Sequence, residues 1–291
     1  MDKLKKLNNH PSHKIWRYLI LIVFLIICFA GAVWMYWQIK IINYNIEQTI
    51  SILNTPALQT SISRNSSSKN KTITLPILLY HHISRTETQN SYNVQPEIFE
   101  QQMAWIKANN YNVITLSQAV DGMTGVIALP ENPLVITFDD GVNDEYVNAF
   151  PILEKYGFSA TFYIKINIYN TPSGMTTKQL KELKDAGMEI ASHSVNHDDL
   201  TKLSSEQLKT ELTQSKAILE KDLDIKIRSF AYPGGAFNDT VIDAVIDAGY
   251  GNATTTAHSI KQSPTDLFRL NRSHIDDDLD NLIKRVRGEM P

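Results

Sequence analysis

From Leu75 onward, short apolar runs alternate with longer amphipathic runs, and this alternation limits the possible fold more than any other feature of the chain. Strand-like and helix-like segments follow each other at least five times, which predicts a parallel α/β fold with helices packed outside the strands. The predicted strands are Leu75–Tyr80, Leu134–Phe138, Ala160–Ile164, Met188–Ser192, Ser229–Tyr232 and Tyr250–Thr254. The predicted helices are Pro96–Ala108, Asp144–Tyr156, Thr177–Ala186, Ser204–Asp222 and Asp239–Ala248.

Polar residues follow the ends of several predicted strands. In parallel α/β folds, catalytic residues gather on the loops at the carboxyl ends of the strands. The residues in such positions are His81, Asp139, Asp140, His193, His197 and the turn Tyr232-Pro233-Gly234-Gly235. We therefore expect these side chains to meet in one site.

Two of these motifs contain the residue types of a catalytic metal site. Asp139 and Asp140 are adjacent, whereas His193 and His197 are four residues apart, a spacing that puts both rings on one face of a helix. Two His and the Asp140 carboxylate would leave one position of a divalent ion open for water. Asp139 would then be free to act as a general base. Taken singly, an Asp pair is also common in turns, and the His pair also suits the start of a surface helix.

Three further features have both a structural and a functional interpretation. Arg228 enters a predicted buried strand, where a charge needs a partner, and its guanidinium could hold Asp139 in orientation. The turn Tyr232–Gly234 is either an ordinary Pro-Gly turn or a source of a backbone N–H that acts as an oxyanion donor. His81 is either a structural residue at a strand end or part of the site.

The N-terminal region predicts a membrane anchor. Residues 18–37 carry no charge and are long enough to cross the ~30 Å hydrocarbon core as a helix. Lysines and an arginine precede this run in residues 1–17, and tryptophan and tyrosine residues close it, which predicts a cytoplasmic tail and an extracellular remainder. The alternatives are a signal peptide cleaved after Ala30-Gly31-Ala32 and a lipoprotein modified at Cys28.

Composition limits the interpretation of the remaining chain. Residues 38–72 end in a run of polar and small residues, which predicts an extracellular stalk. Residues 73–291 suit one domain, and that domain has no internal disulfide because Cys28 is the only cysteine. The net charge of −3 and the lack of a basic cluster beyond the N-terminus argue against nucleic acid as a partner.

The motifs TFDDG, HSVNH and RSFAYPGG occur in this order, and together they resemble the polysaccharide deacetylases of carbohydrate esterase family 4, the NodB-homology group. The resemblance covers about Leu75 to Ile283. The segment Leu78-Leu79-Tyr80-His81-His82 is similar to the start of the branch that includes poly-N-acetylglucosamine deacetylases. The resemblance implies a distorted (β/α) barrel that hydrolyses the N-acetyl amide of N-acetylglucosamine units.

The same resemblance implies a role for each motif residue. The metal ligands would be Asp140, His193 and His197, holding Zn²⁺, or alternatively Co²⁺ or Ni²⁺. The ion would polarise the acetyl carbonyl and activate water, with Asp139 as the base and Arg228 as the residue that orients it. The backbone N–H near Tyr232 would help to stabilise the oxyanion.

The general acid has two rival candidates. Family members often carry a Leu-x-His element whose His protonates the leaving amine, but in Leu270-Asn271-Arg272-Ser273-His274 the His lies two residues further along. Arg272 matches instead the arginine of an FRLxR-like segment in the exopolysaccharide branch, which leaves His274 and His81 as candidates. No tryptophan follows residue 105, so the family's aromatic fourth motif is absent or replaced and the substrate subsites could differ.

The combined prediction is a membrane-anchored, extracellular, metal-dependent hydrolase. Its substrate would be a bacterial envelope glycan, either peptidoglycan or poly-N-acetylglucosamine, from which it removes N-acetyl groups. One alternative is an O-acetyl esterase acting on an acetylated polysaccharide such as xylan, because only the leaving group changes. Another is an inactive glycan-binding module, which the intact Asp and His motifs oppose.

Overall fold

The computed structural model describes residues 31, 34–40, 42, 72–86 and 91–289. Residues 68–291 form one compact unit, to which the last two of these ranges belong. The predicted basic tail (residues 1–17) and most of the predicted membrane helix (18–37) and stalk (38–72) lie outside the described residues. Within the part of the chain that is described, no helix is long and apolar enough to cross a membrane.

The compact unit alternates strands and helices along the chain. Its strands are β1 (Ile73–Thr74), β2 (Ile77–Tyr80), β3 (His82–Ile83), β4 (Asn93–Val94), β5 (Asn112–Ile114), β6 (Pro133–Phe138), β7 (Thr161–Ile164), β8 (Glu189–Ser192), β9 (Ser229–Ala231), β10 (Asn252–Thr254), β11 (Lys261–Gln262) and β12 (Ser273–His274). Its α-helices are α1 (Pro96–Ala108), α2 (Leu116–Met123), α3 (Phe150–Tyr156), α4 (Thr177–Asp185), α5 (Ser205–Leu223), α6 (Asp239–Asp247) and α7 (Leu279–Arg287). A π-helical turn, Glu145–Ala149, leads into α3.

The predicted parallel α/β organisation is confirmed. All six predicted strands and all five predicted helical segments are present, with bounds within two residues of those expected. The sequence pattern did not predict β1, β3, β4, β5, β11, β12, α2 or α7. The strands among them have two or three residues each, too few for an alternating pattern to be recognised, and Gly122 lies inside α2. The helix α7 does have helical periodicity, with apolar residues at Leu279, Leu282, Ile283 and Val286, so its sequence contained a signal that was overlooked.

The main sheet is parallel throughout and curls into a half-barrel. Its order is β10-β9-β8-β7-β6-β2-β12, with β5 paired to the first half of β6. β12 pairs with β2 at one edge, and only three residues earlier Leu270 forms a parallel bridge with Thr254 of β10 at the other edge. The segment leading into β12 therefore contacts both edges of the sheet.

The strands are buried on both faces, as expected for a parallel sheet covered by helices. In β6, Leu134 and Ile136 belong to the large core under the helices, whereas Val135 belongs to a smaller core on the opposite face. Because side chains alternate along a strand, Thr137 and Asp139 continue the face of Val135. Asp139 therefore points toward the inside of the half-barrel.

Candidate active site

The first aspartate of the pair is buried and held by an arginine. Arg272, fully buried, donates from Nη1 to Asp139 Oδ1 (2.6 Å) and from Nη2 to Oδ2 (2.7 Å), while its Nε donates to the carbonyl of Thr255 (2.9 Å). Burial acts to raise the pKa of Asp139, but the charge and hydrogen bonds of Arg272 outweigh it and hold the pKa below its usual range. The carboxylate is therefore ionised and fixed in orientation.

The prediction that Arg228 orients Asp139 is wrong. Arg228 instead forms a bidentate pair with Asp121, with Nη1–Oδ2 at 3.0 Å and Nη2–Oδ1 at 2.6 Å, and its side chain is 45% exposed. Arg228 lies before β9, at the amino end of that strand, whereas Asp139 lies after the carboxyl end of β6. In a parallel sheet the amino ends of the strands lie on one side of the sheet and the carboxyl ends on the other, so the two residues are on opposite sides. The arginine that reaches Asp139 comes from the segment leading into β12.

The second aspartate meets both motif histidines. Asp140 Oδ1 lies 4.0 Å from His193 Nε2 and 3.8 Å from His197 Nε2, and the three candidate ligand atoms lie within 4.8 Å of one another. His193 Nδ1 lies 2.9 Å from the carbonyl of Ala231, which can only accept, so Nδ1 carries the proton and the Nε2 lone pair faces Asp140. Two imidazoles and a carboxylate fit a divalent metal such as Zn²⁺, so these residues can hold one.

The loop that carries the two histidines is not a helix. Residues 193–197 form a turn after β8 in which Ser194 and His197 have positive φ angles of 64° and 66°, so the predicted helical spacing is wrong. Glu211 of α5 accepts the backbone N–H groups of residues 195 and 196 at 2.8 and 2.9 Å. Glu211 thus holds the turn in the shape that brings the two imidazole rings together, with centroids 4.7 Å apart.

The candidate metal triad, Asp140, His193 and His197, lines a cavity of about 850 Å³. Its lining includes Leu79, His81, His82, Ser91, Tyr92, Asn93, Asp139, Asp140, His193, His197, Gly234, Thr256, His274, Asp276 and Asp277. Both rival acids are thus present, with ring centroids 5.8 Å apart, and the ring of Tyr92 packs edge-on against each. His81 Nδ1 and His274 Nε2 are buried and have no hydrogen-bond partner among the described residues. Burial lowers the pKa of His81 to about 4 and lowers that of His274 as well.

The predicted oxyanion turn contributes less than expected. The N–H of Tyr232 donates to the carbonyl of Thr254 (3.1 Å), so it is not available to a substrate oxygen. Pro233 has no N–H and is buried, and Gly234, with φ 59°, is the member of the turn that lines the cavity. The Tyr232 N–H is therefore excluded as the donor, because the chain at this point still continues the sheet, and the prediction of a backbone donor near Tyr232 stays a prediction for Gly234.

Two charged residues at the site were not assigned a role by sequence. Arg272 was noted only as part of an FRLxR-like segment, although its burial against Asp139 makes it central. Lys165 directly follows β7, and its Nζ lies 3.1 Å from Asp140 Oδ1. The strand-end rule that selected His81 would have selected Lys165 as well.

The arrangement can perform metal-assisted hydrolysis. An ionised carboxylate, Asp139, lies beside the triad, with Oδ2 3.8 Å from His193 Nε2. Water held by an ion at the triad would be within reach of that carboxylate, and His81 and His274, which line the same cavity, can face a leaving group.

Comparison with known proteins identifies deacetylases as relatives. The family profile described as polysaccharide deacetylase matches residues 127–253. The putative polysaccharide deacetylase YxkH of Bacillus subtilis (strain 168) is 31% identical over 201 residues, which are 69% of this chain and 71% of that protein. A poly-beta-1,6-N-acetyl-D-glucosamine N-deacetylase of Staphylococcus aureus (strain MSSA476) is 28% identical over 226 residues, which are 72% of this chain and 77% of that protein.

A solved structure has the same fold. The Streptococcus pyogenes deacetylase PplD, solved in complex with acetate, is 32% identical and superposes with a TM-score of 0.69. The match covers 74% of this chain and 99% of that chain. The parallel half-barrel is therefore of the type found in NodB-like deacetylases.

Proposed function

This chain belongs to the polysaccharide deacetylase family and is a deacetylase hydrolase, and from that premise we propose that it removes N-acetyl groups from N-acetylglucosamine units of a bacterial envelope polysaccharide. The observation that carries the proposal is the pairing of an ionised base, Asp139, with the triad of Asp140, His193 and His197 in one cavity. The similarity to the Staphylococcus aureus enzyme supports a poly-β-1,6-linked N-acetylglucosamine polymer as the first substrate to test, with peptidoglycan as the second.

In the proposed mechanism each residue has a defined task. Asp139 takes the proton of the attacking water, and Arg272 keeps Asp139 ionised and aimed at the triad. A divalent ion at the triad would supply Lewis-acid polarisation of the acetyl carbonyl and would acidify water. His81 or His274, both of which line the cavity, protonates the leaving amine.

We propose Zn²⁺ as the ion, with Co²⁺ or Ni²⁺ as functional substitutes. Imidazole nitrogen and a carboxylate oxygen are ligands that Zn²⁺ accepts with a position left open. The hydrogen bond from His193 Nδ1 to Ala231 O supports this assignment, because such second contacts fix the tautomer that ligates.

We also propose that the enzyme is anchored in the cell membrane and works outside the cell. The support is the uncharged run at residues 18–37 with basic residues before it and aromatic residues at its end. In this arrangement residues 38–72 are the stalk between the membrane and the catalytic domain.

The test is acetate release by the full chain, purified in detergent, stripped of metal and reloaded with Zn²⁺. The substrates are poly-β-1,6-N-acetylglucosamine, peptidoglycan and acetylated xylan. Asp139→Asn keeps the shape of the base. Asp121→Asn is the matched control, because Asp121 also pairs with an arginine, Arg228, but does not line the cavity. We expect Zn²⁺-dependent release from an N-acetylated glycan that is lost in the first variant and kept in the second.

Three outcomes would contradict the proposal. Release from acetylated xylan alone would make the protein an O-acetyl esterase. Stoichiometric Zn²⁺ binding without release from any polymer would support a glycan-binding role. Equal release with and without metal would exclude the triad as the catalytic centre.

A further inference from the structure

A lysine shares the oxygen that faces the two motif histidines. Lys165 Nζ lies 3.1 Å from Asp140 Oδ1, the same atom that lies 4.0 and 3.8 Å from the Nε2 atoms of His193 and His197. We propose that Lys165 is a built-in counter-ion for Asp140, which stabilises the metal-free enzyme and weakens the binding of divalent metal. This inference rests on the proposed function only in taking Asp140, His193 and His197 as metal ligands.

The position of Lys165 follows from the sheet. β6 and β7 are neighbours, and Asp140 and Lys165 lie just beyond their respective carboxyl ends. The backbone N–H of Lys165 also donates to the carbonyl of Asp140, at 3.4 Å. The two residues are thus tied through both main chain and side chain, so the ammonium group is placed at the ligand by the fold.

The pair is shielded from water, unlike an ordinary surface ion pair. The side chains of Lys165 and Asp140 are 18% and 20% exposed. Screening by solvent and salt is correspondingly small, so the charge of Lys165 acts on whatever binds Asp140 Oδ1. An exposed pair such as Lys178–Glu182, with the lysine side chain 86% exposed, has no comparable effect.

The charges at the site balance without a metal. Arg272 pairs with Asp139 through two hydrogen bonds, and Lys165 pairs with Asp140. If Lys165 lost its charge, a largely buried carboxylate would lack its lysine partner, which is destabilising in the absence of metal.

A divalent cation changes this balance. It must bind the oxygen that Lys165 already neutralises, and it is then repelled by a cation only one contact away. Lys165 therefore lowers metal affinity. In return, the carboxylate neutralises less of the ion's charge, so more of that charge remains to polarise a substrate carbonyl. Lys165 acts through Asp140, so it is a positioning residue.

The experiment measures metal binding and stability in the full chain, with no acetylated substrate. Lys165→Met removes the charge and keeps most of the length, Lys165→Gln is a second neutral variant, and Lys165→Arg keeps the charge. Lys178→Met is the matched control at an exposed lysine. The Zn²⁺ dissociation constant is obtained by competition with a chromophoric chelator, and the loss of that binding in His197→Ala assigns it to the site.

We expect opposite effects on the two measurements. Lys165→Met and Lys165→Gln should bind Zn²⁺ on the order of tenfold more tightly, yet melt at a lower temperature than the wild type when free of metal. Lys165→Arg should stay near the wild type in both measurements, and Lys178→Met should be unchanged. A residue that only supports the structure would lower both stability and affinity.

Unchanged or weaker Zn²⁺ binding in the neutral variants, with a native circular dichroism spectrum, would overturn the inference. An unchanged melting temperature of the metal-free neutral variants would overturn the claim that Lys165 stabilises the metal-free enzyme. Failure of the wild type to bind Zn²⁺ would remove both the proposed metal site and this inference. Normal metal binding without deacetylation would refute the proposed function and leave the role of Lys165 standing.

Discussion

Replacing Arg272 with Met should affect both the stability and the base of the active site. Arg272 is fully buried, and its two Nη atoms bond the two oxygens of Asp139, whose side chain is 3% exposed. Removing one partner of a buried ion pair leaves an uncompensated charge, which costs about 3–5 kcal/mol. We therefore expect Arg272→Met to lower the free energy of unfolding at pH 7 by that amount.

Arg228→Met is the matched control for this prediction. Arg228 also forms a bidentate pair with an aspartate, Asp121, but its side chain is 45% exposed. Exposed pairs contribute about 0.2–1 kcal/mol, because water already solvates the charges. The two variants remove the same group from the same kind of pair, so the difference in their effects isolates burial.

The assay is urea unfolding followed by circular dichroism, together with acetate release as a function of pH. In Arg272→Met, the main opposition to burial is removed and the pKa of Asp139 rises, so the acidic limb of the activity profile should move to higher pH. Adding Asp139→Asn to Arg272→Met should recover part of the lost stability, because the unpaired charge is gone. Equal losses in Arg272→Met and Arg228→Met, or no recovery in the double variant, would refute the reasoning.

Two other carboxylates give further predictions. Burial and the charge of Asp144 raise the pKa of Glu145 well above 4.5, so the wild type loses stability as the pH rises from about 4.5 through the folded-state value. In urea unfolding, the stability of Glu145→Gln relative to the wild type should therefore be higher at pH 8 than at pH 4. A stability difference that does not depend on pH would contradict this. Glu211→Gln should weaken Zn²⁺ binding about 10–100-fold in chelator competition, because Glu211 anchors the loop of His193 and His197. Unchanged affinity would show that the loop keeps its shape without that carboxylate.

The sequence was sufficient to predict the larger elements of the fold. Strands such as β6 are continuous apolar runs, and helices such as α5 begin at a capping box with Ser204 and Gln207, so both have local signals. β12 has two residues and is specified by its pairing with β2, which lies near the other end of the domain's sequence. Such an element depends on tertiary contacts that no local pattern contains.

The candidate site was predictable wherever the strand-end rule applied. Asp139, Asp140 and His193 all follow strands, and the structure brings them together. The partner of Asp139 was missed because ion pairing at this site depends on whether a residue lies at the amino or the carboxyl ends of the strands. Arg228 precedes its strand, and Arg272 lies in an irregular segment.

The rival general acids differ in what surrounds them. His81 interacts electrostatically with both Asp139 and Asp140, whereas His274 interacts more strongly with Arg285 and Asp276 than with Asp139. His81 therefore lies nearer the centre of the reaction. Its pKa of about 4 makes it neutral in the free enzyme at pH 7, so acting as an acid requires it to gain a proton with substrate in place.

We expect His81→Gln to reduce acetate release from an N-acetylglucosamine polymer about 10²–10⁴-fold, and His274→Gln to reduce it less. An acid is needed only when the leaving group is a poor one. His81→Gln should therefore retain most of its activity on 4-nitrophenyl acetate, whose phenolate leaves without a proton, because the base and metal ligands are untouched. If His81→Gln lost the amide and ester activities equally, His81 would be a binding or structural residue. If the split between substrates appeared in His274→Gln instead, the acid would be His274, whose ring lies 5.8 Å away across the same cavity.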